Sequence, residues 1–320
     1  MGSLKSIVKI LVPLSIGVFF IYITITASTE EERSLIYTSI KNADYRFLIL
    51  SVFFGVLSHL SRAYRWKFLL APLGHKPRFI NSVLSVMIAY IANLGIPRSG
   101  EILRATTLSS YEKIPFEKAF GTIIAERLVD LIFLVIFIFI ALSLQFDLIW
   151  RVLNEKQVSP INLMIVAGVI GIGLYILRFI FKQDQNPMIK KIKIFLKGLV
   201  DGIMSLKTMP NKGFFILHSL FIWSMYLATF WVVKWTIPET SSLDISALLP
   251  AFAIGGLTIS ASNGGIGIYP FSVALMLLPF GISNESGLAF GWIMWTSQTT
   301  MIIVFGSLSF FALPLVNRQK

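Results

Sequence analysis

The sequence predicts an all-α polytopic membrane protein made of two inverted repeats, each interrupted by a re-entrant broken-helix hairpin. Three observations lead there: a shortage of charge, a series of apolar runs of spanning length, and a glycine or proline break at matching places in the two halves. Hydrophobic residues fill 55% of the 320 positions and charged residues 14%, against roughly a quarter charged in a soluble domain. Mean hydropathy is +0.77. Such a chain lacks the polar surface to dissolve as a globule.

The apolar runs fall at 7–27, 47–60, 79–96, 123–144, 161–181, 214–233, 248–262 and 288–315. Each approaches or exceeds the roughly 20 residues that cross the hydrocarbon core as a helix, allowing for breaks. The first reads as a retained anchor helix within 1–27. Its apolar stretch outlasts a signal-peptide core of roughly 7–15 residues and carries no small-residue cleavage pattern. The chain has no cysteine, which excludes disulfides, thiolate metal sites and cysteine catalysis.

Charge placement sets the expected topology. The net charge of +12 would suit nucleic acid, but its distribution follows the membrane instead. Arg62, Arg65, Lys67, Lys76 and Arg78 lie between the second and third runs without an acidic residue among them, and 178–212 is the longest basic stretch. Segments 28–45 and 236–246 are acidic by comparison. Positive residues stay inside, so both termini and both basic loops are expected in the cytoplasm, in a cytoplasmic (inner) membrane. No nucleic-acid partner is implied. Within the basic stretch, Met188, Ile192, Phe195, Leu196, Leu199 and Ile203 recur at helical spacing and Lys190, Lys193, Lys197 and Asp201 share the opposite face. That pattern suits an amphipathic helix at the interface.

Parity then requires the hairpins. Three full crossings between Arg78 and Arg178 would leave Arg178 outside. The run at 79–96 ends in Gly95-Ile96-Pro97-Arg98-Ser99-Gly100, where proline removes a donor and glycine frees the backbone. A hairpin over 79–112 restores the count. The second half needs one over 248–281, and its middle reads Ser262-Asn263-Gly264-Gly265-Ile266-Gly267-Ile268-Tyr269-Pro270. Helix, hairpin, break and following helix begin near 46, 80, 95 and 119, and again near 213, 247, 264 and 287. The organisation is one transmembrane domain over 1–320: the anchor 1–27, a first repeat 46–146, a connecting helix plus cytoplasmic amphipathic helix 147–212, and a second, inverted repeat 213–314. Interrupted helices at matching positions of inverted repeats point to a transporter with its site near the midplane.

Ionisable groups at membrane depth are costly, near 3 kcal/mol each on translocon scales. Two clusters therefore mark the candidate site. Arg98, Glu101 and Arg104 follow the first break at intervals of three, which a helical return arm would stack on one face. Glu126, Arg127 and Asp130 lie inside the next spanning helix, with Glu126 and Asp130 four apart on one face and Arg127 facing Asp130 at three. Together with Asn93, Gly100, Asn263, Gly264, Gly265 and Gly267 at the breaks, Arg98, Glu101, Arg104 and Arg127 make the candidate substrate-binding set. Free backbone N–H groups at a broken helix end suit an anion. Glu126 and Asp130 are expected to hold and orient the arginines, and Pro97 to shape the turn. The alternative is a set of ion pairs that only locks hairpin to helix. Arg62, Arg65 and Trp66 are expected at the cytoplasmic end of the second helix, in aromatic-belt and positive-inside roles.

The ordered set Arg62-x-x-Arg65-Trp66, Asn93-Leu94-Gly95-Ile96-Pro97-Arg98-Ser99-Gly100-Glu101-x-x-Arg104 and Gly121-Thr122-x-x-x-Glu126-Arg127-x-x-Asp130 resembles the flippase-like membrane region of lysylphosphatidylglycerol synthases and their stand-alone relatives. The resemblance spans nearly the whole chain, and Gly264-Gly265-Ile266-Gly267 fits it as well. It implies translocation of a membrane lipid without fixing which one; the basic and glycine-backbone groups at the breaks point to an anionic or zwitterionic head group. One departure stands out: relatives often carry a glutamate shortly after the glycine run, where this chain has Tyr269-Pro270. No aminoacyl-transferase domain is visible, and neither a nucleophile elbow nor a metal cluster suggests an enzyme. His59, His75 and His218 are far apart in sequence. No cofactor or metal is expected. Two rival readings are a non-transporting scaffold partner of a cell-envelope enzyme and an ion-coupled carrier of a small solute.

Overall fold

The computed structural model describes residues 29–96, 98–145, 206–261 and 264–318, with Thr26 and Met204 besides. Among these residues the chain is helical, with turns and no strand. The expected anchor within 1–27, the connecting helix at 161–181, most of the amphipathic segment 186–207, Pro97 and Asn263 lie outside them. This is an integral membrane protein: Tyr45–Leu73, Phe116–Leu144, Lys212–Thr236 and Asn284–Val316 are each long and apolar enough to cross a bilayer.

The short polar helix α1, Glu30–Asn42, leads into α2, Tyr45–Leu70. Asp44 starts α2 by accepting a hydrogen bond from the Arg46 amide at 3.0 Å, as an N-cap should. The helix continues eight residues past Arg62, where charge returns after the apolar run, because Arg62 and Arg65 are satisfied inside the protein. A 3-10 turn, Ala71–Leu73, ends on Gly74 at φ +81°. The broken pair follows: α3, Phe79–Gly95, and α4, Ser99–Glu112. Ile96 is extended and Arg98 lies at φ +63°. An arginine in the left-handed region is unusual, and it marks the turn between the two arms.

After Pro115 the long helix α5, Phe116–Leu144, runs back through the apolar zone and buries the smallest share of the four spans. The second half opens with α6, Lys212–Val233, and two 3-10 turns. Asp244 then begins α7, Ile245–Ala261; its carboxylate accepts from the Ser246 hydroxyl at 2.8 Å and the Ala247 amide at 3.0 Å. Those hydrogen bonds hold the Asp244 carboxyl below its usual range. Gly264, Gly265 and Gly267 all have positive φ, a conformation glycine adopts without penalty, and they turn the chain into α8, Ile268–Leu277. Ser283 caps the last helix, α9, Asn284–Val316.

Packing follows a simple scheme. Helix α2 lies along α6; α3 lies on α4 and α7 on α8; α4 meets α5 and α8 meets α9; and α3 crosses to α9 while α7 crosses to α5. Small residues permit the close approaches, as is usual between helices in lipid. A Cβ at position 291 would stand 2.6 Å from the Cα of Pro270, and one at 306 would stand 2.8 Å from the Cβ of Ile91. One apolar cluster gathers Phe230, Leu248, Val273, Phe290 and Trp292; another gathers Trp66, Leu69, Leu108, Ile123 and Phe215. The charged site borders the second.

Candidate functional site

Two helices supply the frame. Arg62 and Arg65 sit one turn apart on α2, and Glu126 and Asp130 one turn apart on α5. Arg62 lies eight residues before Leu70 and Glu126 ten residues after Phe116, so each is about 12–15 Å inside its helix end. That depth approaches the middle of a hydrocarbon core about 30 Å thick.

Arg62 Nη1 donates to Glu126 Oε1 at 2.5 Å and to Asp130 Oδ2 at 2.6 Å. Arg65 Nη2 donates to Asp130 Oδ1 at 2.9 Å and lies 3.2 Å from Glu126 Oε1, while its Nη1 donates to Ser219 Oγ on α6 at 2.7 Å. Arg104, reaching over from α4, donates to Glu126 Oε2 at 3.0 Å and Oε1 at 3.2 Å. Its guanidinium lies 3.8 Å over the Trp66 ring, whose Nε1 donates to Thr122 Oγ1 at 2.9 Å. Glu126 thus binds three guanidinium groups in a site closed to water. Arg62, Arg65, Arg104 and Glu126 are all buried.

A looser layer lies outside this one. Arg127 Nε stands 3.2 Å from Glu101 Oε1, and its Nη1 stands 3.6 Å from Asp130 Oδ2. Asn93 on α3 donates to Glu101 Oε2 at 3.2 Å and accepts from the Gly100 amide at 2.8 Å. It ties the two arms of the break together. At position 100 a Cβ would fall 2.0 Å from the Ala89 carbonyl oxygen, so only glycine lets α4 seat here. Between the layers is a cavity of about 10 Å³, lined among others by Arg62, Tyr90, Asn93, Glu101, Arg104 and Arg127. That is room for about one water.

The network balances unevenly. Arg62, Arg65, Arg104 and Arg127 face Glu101, Glu126 and Asp130, leaving one positive charge over. Nε of Arg62 and Nε of Arg104 are buried with no hydrogen-bond partner, although both residues line the cavity.

The structure brings together Glu101, Arg104, Glu126, Arg127 and Asp130, as their spacing suggests, but it corrects three expectations. Arg98 does not stack with Glu101. Its left-handed backbone places it at the cap of α4 rather than in the helix, so helical spacing does not apply, and it makes no ion pair among the described residues. Nor do Glu126 and Asp130 hold it. Glu101 pairs with Arg127 instead of its own-helix neighbours. Arg62, Arg65 and Trp66 are not belt residues, because all three are buried and the two arginines neutralise the α5 carboxylates. Gly264 reaches the first half at Leu94, where a Cβ would stand 3.0 Å from Cδ2, and its carbonyl accepts from Trp295 Nε1 at 2.7 Å. Gly265 and Gly267 shape that turn.

Tyr90, Tyr226 and Ser219 escaped the sequence reading. Tyr226 accepts from Arg62 Nη2 at 3.2 Å, and its hydroxyl lies 3.2 Å from that of Tyr90. Partners separated by more than a hundred positions leave no local signal. The histidines form no shared site: His59 lies against the Tyr90 ring and His218 meets Ser61. No group of three or more potential metal ligands occurs among the described residues.

A family model described as the lysylphosphatidylglycerol synthase TM region matches residues 10–306. The chain is similar to a UPF0104 membrane protein of Methanocaldococcus jannaschii, 24% identical over 285 residues, covering 83% of this chain and 76% of that protein. A UPF0104 membrane protein of Pyrococcus horikoshii is 23% identical over 272 residues, covering 76% and 79%. No solved structure matches.

Proposed function

This chain belongs to the lysylphosphatidylglycerol synthase transmembrane-region family, and we propose that it moves a lipid with an anionic or zwitterionic head group between bilayer leaflets. One observation carries the reading: the network has four arginines, three of them enclosed, against three carboxylates, and it lines a cavity. An uncompensated positive charge at this depth is expensive, and an anion would neutralise it. Phosphate suits the guanidinium fork, which can bind it through two parallel hydrogen bonds. The unpartnered Nε groups of Arg62 and Arg104 are donors that such an oxygen would satisfy. Arg104, set by Glu126 and Trp66, binds the head group; Arg98, exposed at the break, meets it first.

The architecture we propose is two inverted repeats, α2 to α5 and α6 to α9, with α3–α4 and α7–α8 as re-entrant hairpins. Observed helix starts support it: 45, 79, 99 and 116 in the first half, 212, 245, 268 and 284 in the second. The successive intervals agree within three residues. Packing supports it too, since exchanging the halves turns α3–α9 into α7–α5 and α4–α5 into α8–α9. Lipid cannot satisfy open backbone at the breaks, and the contact of Gly264 with Leu94 covers one break with the other.

The test is leaflet exchange in proteoliposomes across a panel of head groups. At least one anionic or zwitterionic lipid should exchange well above protein-free vesicles, and Arg104→Lys should slow it at least tenfold at unchanged melting temperature. Exchange of no lipid, or wild-type rates in both Arg98→Lys and Arg104→Lys, would overturn the reading. The scaffold reading would then gain, and one observation already favours it: in this conformation the cavity has room for about one water rather than a head group.

A further inference from the structure

We infer that the cavity opens sideways into the bilayer, between α4 and α5, and that the Glu101–Arg127 pair is the latch that closes it. The lipid-transport reading supplies its purpose, but the geometry stands on its own. Among the charged side chains of the network, those of Arg62, Arg65, Arg104 and Glu126 are enclosed, whereas those of Arg127 and Glu101 are 38% and 17% exposed. Both line the cavity, so the pair stands between it and the outer surface.

What lies outside that surface is apolar. Next to Glu101 on α4, Ile102 and Leu103 are exposed; next to Arg127 on α5, Leu128 and Leu131 are exposed. These faces belong to a helix of spanning length and its partner, at a depth where the surroundings are hydrocarbon. An opening rimmed in this way admits a head group whose tails remain in lipid, and it is a poor mouth for a solute arriving from water. The latch is also built to part. Arg127 Nε is 3.2 Å from Glu101 Oε1, yet it has no aligned hydrogen bond, unlike the multiply bonded pairs behind it. When the latch parts, Arg127 keeps Asp130 at 3.6 Å and Glu101 keeps Asn93 at 3.2 Å, so neither charge is abandoned.

The chain has no cysteine, which permits a direct test. Val86 is buried and lines the cavity; Val86→Cys places one thiol there. In proteoliposomes its labelling is followed with a long-chain alkyl methanethiosulfonate dissolved in the bilayer, and separately with a membrane-impermeant sulfonatoethyl methanethiosulfonate on both sides. Adding Glu101→Gln should speed the bilayer reagent at least tenfold and leave the aqueous reagent unchanged. Glu101→Asp, which keeps the charge on a shorter arm, should give an intermediate rate and serves if the glutamine variant does not fold. Unchanged rates with both reagents, or acceleration of the aqueous reagent, would overturn the lateral latch. The labelling needs no transport: a lateral opening without lipid exchange would refute the transport reading and leave the latch standing, and the reverse result would do the opposite.

Discussion

Glu126 is the residue on which the charged network turns. Three guanidinium groups share its two oxygens, and it is fully enclosed. Glu126→Gln would raise the excess from one positive charge to two and leave arginines unpaired in a low-dielectric site. Removing one partner of a buried ion pair costs about 3–5 kcal/mol. We expect a melting temperature in detergent lowered by many degrees, and a smaller drop for Asp130→Asn, whose side chain is 11% exposed. Wild-type melting in both variants would show that the network does not hold the fold. At this scale the sequence was half legible. Four-residue spacing places Glu126 and Asp130 on one face, but nothing local says that their partners are Arg62 and Arg65, 61 to 68 positions away. Those arginines also satisfy the positive-inside pattern, and that signal conceals a buried role.

At the scale of elements, the first break shows why glycine identity matters in one place and not in another. Gly100→Ala brings a methyl group within 2.0 Å of a backbone oxygen of α3, and backbone cannot swing aside as a side chain can. Overpacking typically costs about 1–3 kcal/mol, so Gly100→Ala should lower the melting temperature and loosen α4 from α3. Gly213, in the first turn of α6, has nothing within 4 Å of a Cβ built on it. Gly213→Ala should leave stability unchanged or raise it by up to about 1 kcal/mol. Equal melting of the two variants would refute the contrast. The helices themselves were legible from apolar runs, and the breaks from glycine and proline. Helix ends were less so: α5 begins at Phe116 rather than near 119 and α2 persists to Leu70, past its apolar run, because paired charges and capping turns extend a helix beyond its apolar stretch.

For the whole molecule, the testable property is sidedness. Charge asymmetry assigns the loop 71–78, with Lys76 and Arg78, and the basic stretch 178–212 to the cytoplasm, and the turn around Glu239 to the outside. Lys76 and Glu239 are both exposed, so single cysteines at Lys76, Lys190 and Glu239 report directly. A membrane-impermeant thiol reagent on intact cells should label position 239 alone, and positions 76 and 190 only after permeabilisation. External labelling at 76 or 190 would overturn the topology. The symmetry we propose between the halves rests on spacing, because it depends on element lengths, which breaks and runs reveal even where residues differ. The location of the charge was less readable. The stretch 245–283 has no ionisable acid or base apart from Tyr269, so the network is built by one half and only leaned on by the other.

The small cavity also bears on a cost that any membrane protein with a polar interior must meet, the leakage of ions. A void holding about one water is too small to host a continuous file of water. Its excess positive charge repels sodium and potassium as well. On the lipid-transport reading, that combination lets an anion site sit in mid-membrane behind a void too small to conduct protons and too positive to welcome cations.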